Sequence, residues 1–308
     1  MLSRIAESLF WIGRYAERAD YTARIMDVQM QMIVEDAGAD EEQVCRLLLS
    51  VMGVEHEGRV DRQAVLRMLM YDADSPSSIV STIAATRESA RRARETLSTE
   101  LWEAINTTWR AIPSGRVRTM RSPAAFSWVR ERTALVFGIA DSTMSRDEGW
   151  QFLVLGRAIE RADMTARLLT TTALSGIPTA AWTYTLRACG AYETFLRTYR
   201  GLETDRGAAE FLLLDRLFPR SVVYALGRAE QCLENLESSG SRAGFSDEAQ
   251  RLLGRARAEL EYRPLADIVQ SLPHDMEQLQ RTCTLATDAI SRRYFEGAVA
   301  MTWLGGAR

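Results

Sequence analysis

Hydrophobic residues recur at steps of three and four positions along most of the chain. In the first segment, about 3–34, this spacing places Ile5, Leu9, Ile12 and Ala16 on one face of a helix. Almost no stretch shows the two-residue alternation that is typical of a β-strand. The pattern therefore predicts an all-α protein, a multi-helix bundle with no significant sheet.

Turn residues divide the rest of the chain into further helices. The turns at 72–78 and 218–221 each contain a proline and end in a serine, which indicates a helix start. The stretches DAGADEE (36–42), with Gly38, and SGIP (175–178) are predicted helix ends, and SSGSRAG (238–244) is the most linker-like stretch. The helices predicted after the first are 41–53, 61–71, 79–112 as one helix or two, 123–145, 148–174, 179–199, 207–215 and 222–237, and the remainder, 246–262 and 264–304, is predicted to form two or more.

One charged phrase occurs twice in the sequence. Residues 13–24 read GRYAERADYTAR and residues 156–167 read GRAIERADMTAR, identical at nine of twelve positions with an offset of 143. The same offset relates a second landmark, the turn that contains Asp72 and Ser78, to the turn that contains Asp215 and Ser221. Two separated matches at one offset predict two duplicated helical halves, 1–146 and 147–308, related by a pseudo-twofold axis in one compact unit with a shared core.

Composition narrows the class of protein. The chain of 308 residues is 46% hydrophobic and 26% charged, with a net charge of −3 and a pI of 5.7, so we expect no binding to nucleic acid. No signal peptide is evident, and no apolar run reaches the ~18 residues of a membrane span. The four cysteines are widely spaced, which favours a reducing compartment. These features predict a cytoplasmic protein that does not bind membranes.

The repeated phrase places its charged residues on one side of a helix. Gly13, Glu17, Asp20 and Arg24 fall along one stripe, and small residues such as Ala16 lie on the opposite face. We expect the two copies of the stripe to converge. The candidate ligand or interface cluster consists of Arg14, Glu17, Arg18, Asp20, Arg24, Arg157, Glu160, Arg161, Asp163 and Arg167.

Two interpretations of this cluster remain open. Arginines that converge with carboxylates could form a polar pocket for a zwitterionic or phosphorylated ligand, with Glu17 or Glu160 as a general acid or base if desolvation raised its pKa. Alternatively, two helices that cross at their alanine faces could use the Glu-Arg pairs to fix their register. The first interpretation predicts a site, and the second predicts a structural crossing.

The remaining candidates favour ordinary structural roles. Glu55, His56 and Glu57 are predicted to lie in a solvated loop, and His274 near a helix start, so no metal site is expected. The basic patch with interleaved glutamates is predicted to be a solvated helix face. It comprises Arg87, Arg91, Arg92 and Arg94. The tryptophans are predicted to be core residues, except Trp303 in a short apolar tail that could dock on a partner.

With these motifs in view, the sequence resembles the Alpha-E family, an uncharacterised all-helical bacterial domain with a Glu-Arg motif. The resemblance covers essentially the full chain. The matching segments are MLSRIAESLFWIGRYAERAD at 1–20, SPSSI at 75–79, SRDEGWQFLVLGRAIERAD at 145–163, the overlapping GRAIERADMTAR at 156–167, and LFPRSVVYAL at 217–226. Only Glu17, Arg18, Glu160 and Arg161 correspond to the family's motif.

The resemblance implies a role beside an enzyme. Members of this family resemble components encoded next to circularly permuted ATP-grasp ligases and transglutaminase-like proteins. We therefore expect a non-catalytic auxiliary subunit that binds such a ligase and its peptide or amino-acid substrate, has no cofactor of its own, and leaves ATP and Mg²⁺ to the ligase. The alternatives are an enzyme of peptide synthesis or modification with Glu17 or Glu160 as acid or base, and a scaffold whose Glu-Arg pairs are purely structural.

Overall fold

A computed structural model of the chain describes residues 1–35, 40–174, 179–200, 204–237 and 247–295. Throughout these ranges the regular structure is helical and no β-strand occurs, which confirms the predicted all-α class. In the same ranges, no helix combines the length and the apolar character needed to cross a membrane. The predicted ends at Gly38 and at 175–178, the linker-like stretch at 238–244 and the tail with Trp303 fall almost wholly outside the described residues.

The helices follow one another with short connections. A π-helix, Leu66–Tyr71, continues α3, and 3₁₀ turns occur at Arg94–Thr96 and Val117–Thr119. Over the described ranges the α-helices are α1 (Ser3–Glu35), α2 (Glu41–Val51), α3 (Arg62–Val65), α4 (Ile79–Arg92), α5 (Thr99–Arg110), α6 (Ser122–Thr143), α7 (Glu148–Leu174), α8 (Thr179–Ala188), α9 (Tyr192–Thr198), α10 (Asp205–Leu214), α11 (Val222–Leu236), α12 (Glu248–Tyr262), α13 (Leu265–Gln270) and α14 (Leu272–Tyr294).

The prediction of one continuous helix at 179–199 is wrong, because the helix ends at Gly190. This residue has a φ of 61°, the left-handed conformation that glycine adopts without steric cost. Its N–H donates to the carbonyl of Arg187, and the N–H of Ala191 donates to the carbonyl of Leu186. This pair of hydrogen bonds is a Schellman motif, which ends α8 and lets α9 start in a new direction.

The predicted helical stretch 79–112 consists of two helices. The backbone leaves the helix at Ala93, and Ser98 caps the next helix by accepting a hydrogen bond from the N–H of Leu101 at 3.1 Å. A serine oxygen at this position satisfies one of the amide groups that have no partner in the first turn. The segment therefore forms two helices, α4 and α5, which pack against each other.

The described residues form two compact units, 1–157 and 158–295, and the boundary lies inside α7. In the first unit, α1 packs against α4 and α6, and most of its residues are buried. In the second unit, α12 packs against α11 and α14. Burial around almost the whole circumference of α1 explains its weak amphipathic pattern and places its charged residues inside the unit.

The two turns that share the 143-residue offset have the same local structure. Ser78 caps α4 and Ser221 caps α11 through hydrogen bonds from the N–H three residues on, at 3.0 and 3.2 Å. Each serine hydroxyl also donates to a carbonyl six residues earlier, that of Asp72 or Asp215. The offset also relates the starts of α4 and α11. The wider pseudo-twofold and a division at 146/147 stay predictions.

Candidate functional site

The two copies of the repeated phrase begin at glycines that lie against each other's helix. A Cβ atom on Gly13 would come within 3.0 Å of the carbonyl oxygen of Leu153, and one on Gly156 within 3.0 Å of the carbonyl oxygen of Phe10. Phe10 and Leu153 are themselves 143 positions apart, so the two contacts are equivalent. In the first unit, α1 and the start of α7 therefore cross at a distance that only glycine permits.

This crossing differs from the structural alternative in which the two helices cross at their alanine faces. In the first unit, α1 meets the start of α7 through the stripe that contains Gly13. Ala16 and Ala19 instead line a small cavity together with residues of α4, α5 and α6, such as Ile83 and Thr133. Glycine is favoured at the crossing because even a methyl group would hold the two backbones apart.

The first glutamate of the motif is paired across this crossing. The Nε atom of Arg157 donates to Glu17 at 3.0 Å, and the Glu17 side chain is only 1% exposed. The guanidinium group of Arg157 lies 3.8 Å from the ring centre of Phe137, and 30% of the side chain is exposed. An arginine from the second copy thus neutralises a buried carboxylate of the first copy, while its outer edge reaches solvent.

Each copy also contains an ion pair along its own helix. Arg24 donates from Nε to Asp20 at 2.8 Å, and Arg167 donates in the same way to Asp163 at 2.8 Å. Both pairs have the i,i+4 spacing that the sequence suggested. Asp20 additionally accepts a hydrogen bond from Thr133 of α6 at 3.3 Å, so this carboxylate ties α1 to its neighbour in the first unit.

The other motif residues lie on the same two helices. Arg14 and Arg18 of α1 are buried, and the Arg14 guanidinium group lies 5.6 Å from the ring centre of Trp11. In the second unit, Glu160 is fully buried and Arg161 is partly exposed. Both glutamates of the motif are therefore withdrawn from solvent, which distinguishes this motif from a surface charge run.

The arrangement suits a structural role for Glu17 better than acid–base catalysis. A general acid or base must come within hydrogen-bond reach of the group that it protonates or deprotonates. The Glu17 carboxylate is buried and engaged by Arg157 at a point where two backbones touch. Such a pair fixes how the helices cross, because only one register brings both partners together.

The histidines and their neighbours lie at the surface. Glu55, His56 and Glu57 are exposed in the connection after α2, and His274 is exposed in the first turn of α14, as predicted. Among the residues that the structure describes, no three or more His, Cys, Asp or Glu side chains are placed to hold a metal ion.

Sequence reasoning selected the charged residues of the cluster but missed the neighbours that complete it. The role of the glycines at the crossing, the hydroxyl of Thr133 and the ring of Phe137 were not predicted. A signal for the glycines was present, because Gly13 and Gly156 are among the identical positions of the repeat. A glycine inside a long helix usually needs a packing reason, since it lowers helix stability relative to alanine.

Comparisons with known proteins agree with this architecture. The Alpha-E family model, described as a predicted alpha-helical domain with a conserved ER motif, matches residues 1–295. Uncharacterised proteins of Mycobacterium bovis and Mycobacterium tuberculosis are each 28% identical to this chain over 268 residues. The match covers 77% of this chain but only 30% of each relative. No solved structure gives a significant match. The chain belongs to the Alpha-E family.

Proposed function

We propose that this protein is a non-catalytic helical subunit of an ATP-grasp ligase system in the bacterial cytoplasm. It binds the ligase, which activates a carboxylate with ATP and Mg²⁺, and the Glu-Arg pairs hold the helices in the geometry that the ligase recognises. Binding of the peptide or amino-acid substrate at the Glu-Arg cluster, and a contact with a transglutaminase-like protein, stay predictions.

One observation supports a subunit over an enzyme in its own right. The side chain of Glu17, a candidate acid or base, is 1% exposed and receives a hydrogen bond from Arg157 at 3.0 Å. A carboxylate in this position contributes to the packing of α1 against α7, whereas catalysis would require contact with a substrate.

The lengths of the relatives support the same proposal. This chain corresponds to 30% of each mycobacterial relative, so in those proteins the matching segment is joined to a much longer polypeptide. A helical unit that is joined to further polypeptide in its relatives is expected to work beside another domain or protein.

Co-purification and a coupled rate assay test this proposal. The chain is co-expressed with the ATP-grasp ligase encoded nearest to it, and ADP release is followed with ATP, Mg²⁺ and amino acids, with and without the chain. We expect a stable complex and a changed ligase rate. Failure to form a complex, together with an unchanged ligase rate, would overturn the proposal.

Two substitutions distinguish the subunit from an enzyme. Glu17→Gln and Glu160→Gln keep the shape of the side chain and remove its charge. If the glutamates are structural, the variants lower the melting temperature, and the fraction that remains folded binds the ligase and alters its rate as the wild type does. A variant that folds and binds normally but abolishes a reaction of the chain alone would identify an enzyme instead.

A further inference from the structure

Two tryptophans and two arginines alternate on the surface of the first unit. The guanidinium group of Arg87 on α4 lies 4.1 Å from the ring centre of Trp109 and 5.9 Å from that of Trp102, both on α5. Arg94, in the connection between the helices, lies 5.4 Å from the Trp102 ring centre. The order Trp109, Arg87, Trp102, Arg94 forms a continuous tryptophan–arginine ladder held by cation–π contacts.

The ladder differs from the expectation for its tryptophans and adds ring contacts to its arginines. Trp102 and Trp109 were predicted to be core residues, but both are partly exposed. Arg87 and Arg94 were predicted to be solvated; Arg94 is exposed and Arg87 is partly exposed, and each guanidinium group also lies over an indole ring. The Nε atom of Arg87 also donates to the side-chain carbonyl of Asn106 at 3.0 Å, which holds its plane in place.

The positive charges of the ladder are not neutralised within the described part of the chain. Neither Arg87 nor Arg94 forms an ion pair there, and neither indole N–H donates a hydrogen bond. The carboxylate of Glu88, at the end of α4, is already taken by Arg91 at 2.8 Å and Arg92 at 3.3 Å.

The neighbouring Glu95 is also engaged, since its carboxylate lies 3.7 Å from Arg4. Hydrogen bonds from Arg91 lower the pKa of Glu88 to about 2, so this carboxylate is ionised at neutral pH and stays paired with Arg91 and Arg92. Two oriented guanidinium groups therefore remain available for carboxylates from outside the chain.

The duplicated framework does not require the ladder. The 143-residue offset places Glu230 and Glu237 at the positions of Arg87 and Arg94. In the second unit these glutamates pair with arginines of their own, Glu230 with Arg257 at 2.6 Å and Glu237 with Arg293 at 3.3 Å. The helix of the second unit at the equivalent position therefore forms with negative side chains where the first unit has Arg87 and Arg94. Among the described residues, the ladder belongs to the first unit.

We propose that the tryptophan–arginine ladder is a docking surface for an acidic segment of a partner protein. Aspartate or glutamate side chains of the segment pair with Arg87 and Arg94, and its apolar side chains cover the exposed edges of Trp102 and Trp109. Tryptophan and arginine are the residue types that most often dominate binding energy at protein interfaces. The hydrogen bond to Asn106 and the contact with Trp109 hold the guanidinium group of Arg87 in advance, so less side-chain entropy is lost there on binding.

Charge favours an acidic protein segment over nucleic acid as the occupant. The chain as a whole has a net charge of −3, which would repel an extended polyanion beyond the ladder. A short acidic segment needs only the local positive charge of Arg87 and Arg94. The inference goes beyond the proposed function, because the surface recognises this chemistry whichever protein contains the segment.

Isothermal titration calorimetry of the full chain tests the ladder directly. The probe is a short synthetic peptide of two Glu-Glu-Leu units, and the comparison ligands are a Lys-Lys-Leu peptide of the same length and single-stranded oligothymidylate. We expect saturable binding of the acidic peptide that weakens with salt, and no binding of the basic peptide. Absence of binding by the acidic peptide, or tighter binding of oligothymidylate in a manner that depends on Arg94, would overturn the proposal.

A matched pair of substitutions assigns the binding to the ladder. Arg94→Gln removes an exposed, stacked arginine from the ladder, and Arg146→Gln removes another exposed arginine stacked 3.7 Å from the Trp150 ring centre in the same unit. We expect Arg94→Gln to weaken the dissociation constant roughly tenfold and Arg146→Gln to leave it unchanged, with both variants melting as the wild type does. Equal affinities of the two variants would place the peptide elsewhere and contradict the proposal.

Discussion

The α-carbon of Gly13 faces the main-chain carbonyl of Leu153, and no additional carbon atom fits between them. A Cβ atom at this position would come within 3.0 Å of the Leu153 oxygen and within 2.9 Å of the Arg157 nitrogen. Both neighbours are backbone atoms inside a helix, so they cannot turn aside as a flexible side chain would. The position therefore determines how closely α1 and α7 approach in the first unit.

We expect Gly13→Ala to destabilise the protein by about 3 kcal/mol or more, because the helices must move apart to admit the methyl group. Gly156→Ala should have a similar effect through the carbonyl of Phe10. Gly138→Ala is the control, since Gly138 is exposed on α6 with open space around it. Alanine there should be neutral or stabilise by about 0.5–1 kcal/mol. Urea unfolding followed by circular dichroism measures the difference, and equal midpoints for Gly13→Ala and Gly138→Ala would contradict the close crossing.

The pair formed by Glu17 and Arg157 should show strong energetic coupling. In a double-mutant cycle of Glu17→Gln and Arg157→Gln, we expect a coupling energy of about 1–3 kcal/mol, because each single substitution leaves a buried polar group with an altered partner. The exposed pair of Glu88 and Arg91 is the comparison, with atoms 2.8 Å apart.

The exposed pair should couple by less than about 1 kcal/mol, since water and salt screen it. Unfolding midpoints at low and high salt measure both cycles. We expect the Glu17–Arg157 coupling to persist at high salt while the Glu88–Arg91 coupling disappears. If both couplings fell to zero at high salt, the hydrogen bond between Arg157 and Glu17 would not stabilise the crossing of α1 and α7.

Helical periodicity was sufficient to predict the fold class, because nearly every element buries an apolar stripe at 3.6-residue spacing. It was not sufficient to predict where helices break. Gly190 ends α8 through a left-handed backbone conformation, and an isolated glycine in a helical pattern does not reveal that conformation. Serine caps were more informative, since Ser78 and Ser221 caused helix starts where the sequence placed them.

The candidate site was predictable in its residue types and unpredictable in its contacts. The repeat singled out Glu17 and Arg157, but periodicity gives only the face on which a residue lies and not the helix that faces it. Phe137 and Thr133 come from α6, more than a hundred positions after Glu17 and Asp20, and no local pattern links them to the motif. Alanine permits a close crossing of two helices, but the crossing lies at the glycines because glycine allows a shorter distance between the two backbones.

The two serine caps at the 143-residue offset should contribute equally to stability. Ser78→Ala and Ser221→Ala each remove a cap at the first turn of a helix and a hydrogen bond to the preceding turn. We expect a loss of about 1–2 kcal/mol for each. Ser142→Ala is the control, because Ser142 is exposed within α6 and bonds only to the carbonyl of Gly138.

Thermal melting followed by circular dichroism compares the three serine variants. The control should melt as the wild type does or slightly higher, since alanine favours the helix interior. A large loss for Ser78→Ala without one for Ser221→Ala would show that the two turns, although alike in hydrogen bonding, differ in their energetic contribution. Equal losses would support the duplicated framework.

The buried thiols of Cys45 and Cys232 should react slowly until the protein unfolds. Burial raises the pKa of each thiol from 9.0 to about 11, and the nearby carboxylate of Glu41 adds to the shift at Cys45. At pH 8 the folded protein then contains roughly 100-fold less thiolate at these positions than the unfolded chain. Because the unfolded thiols ionise first, their contribution to stability is complete below pH 9 and is lost as the pH rises to about 11.

Labelling with N-ethylmaleimide followed by peptide mass spectrometry resolves the two sites without substitutions. At pH 8 we expect both peptides to remain largely unlabelled in the native protein and to become labelled at once in urea. Between pH 9 and pH 11, labelling should accelerate as the thiolate forms and the native state weakens. Rapid native labelling of Cys45 at pH 8 with slow labelling of Cys232 would mean that α2 opens locally, since the carboxylates near Cys45 raise its pKa further and would only slow the reaction.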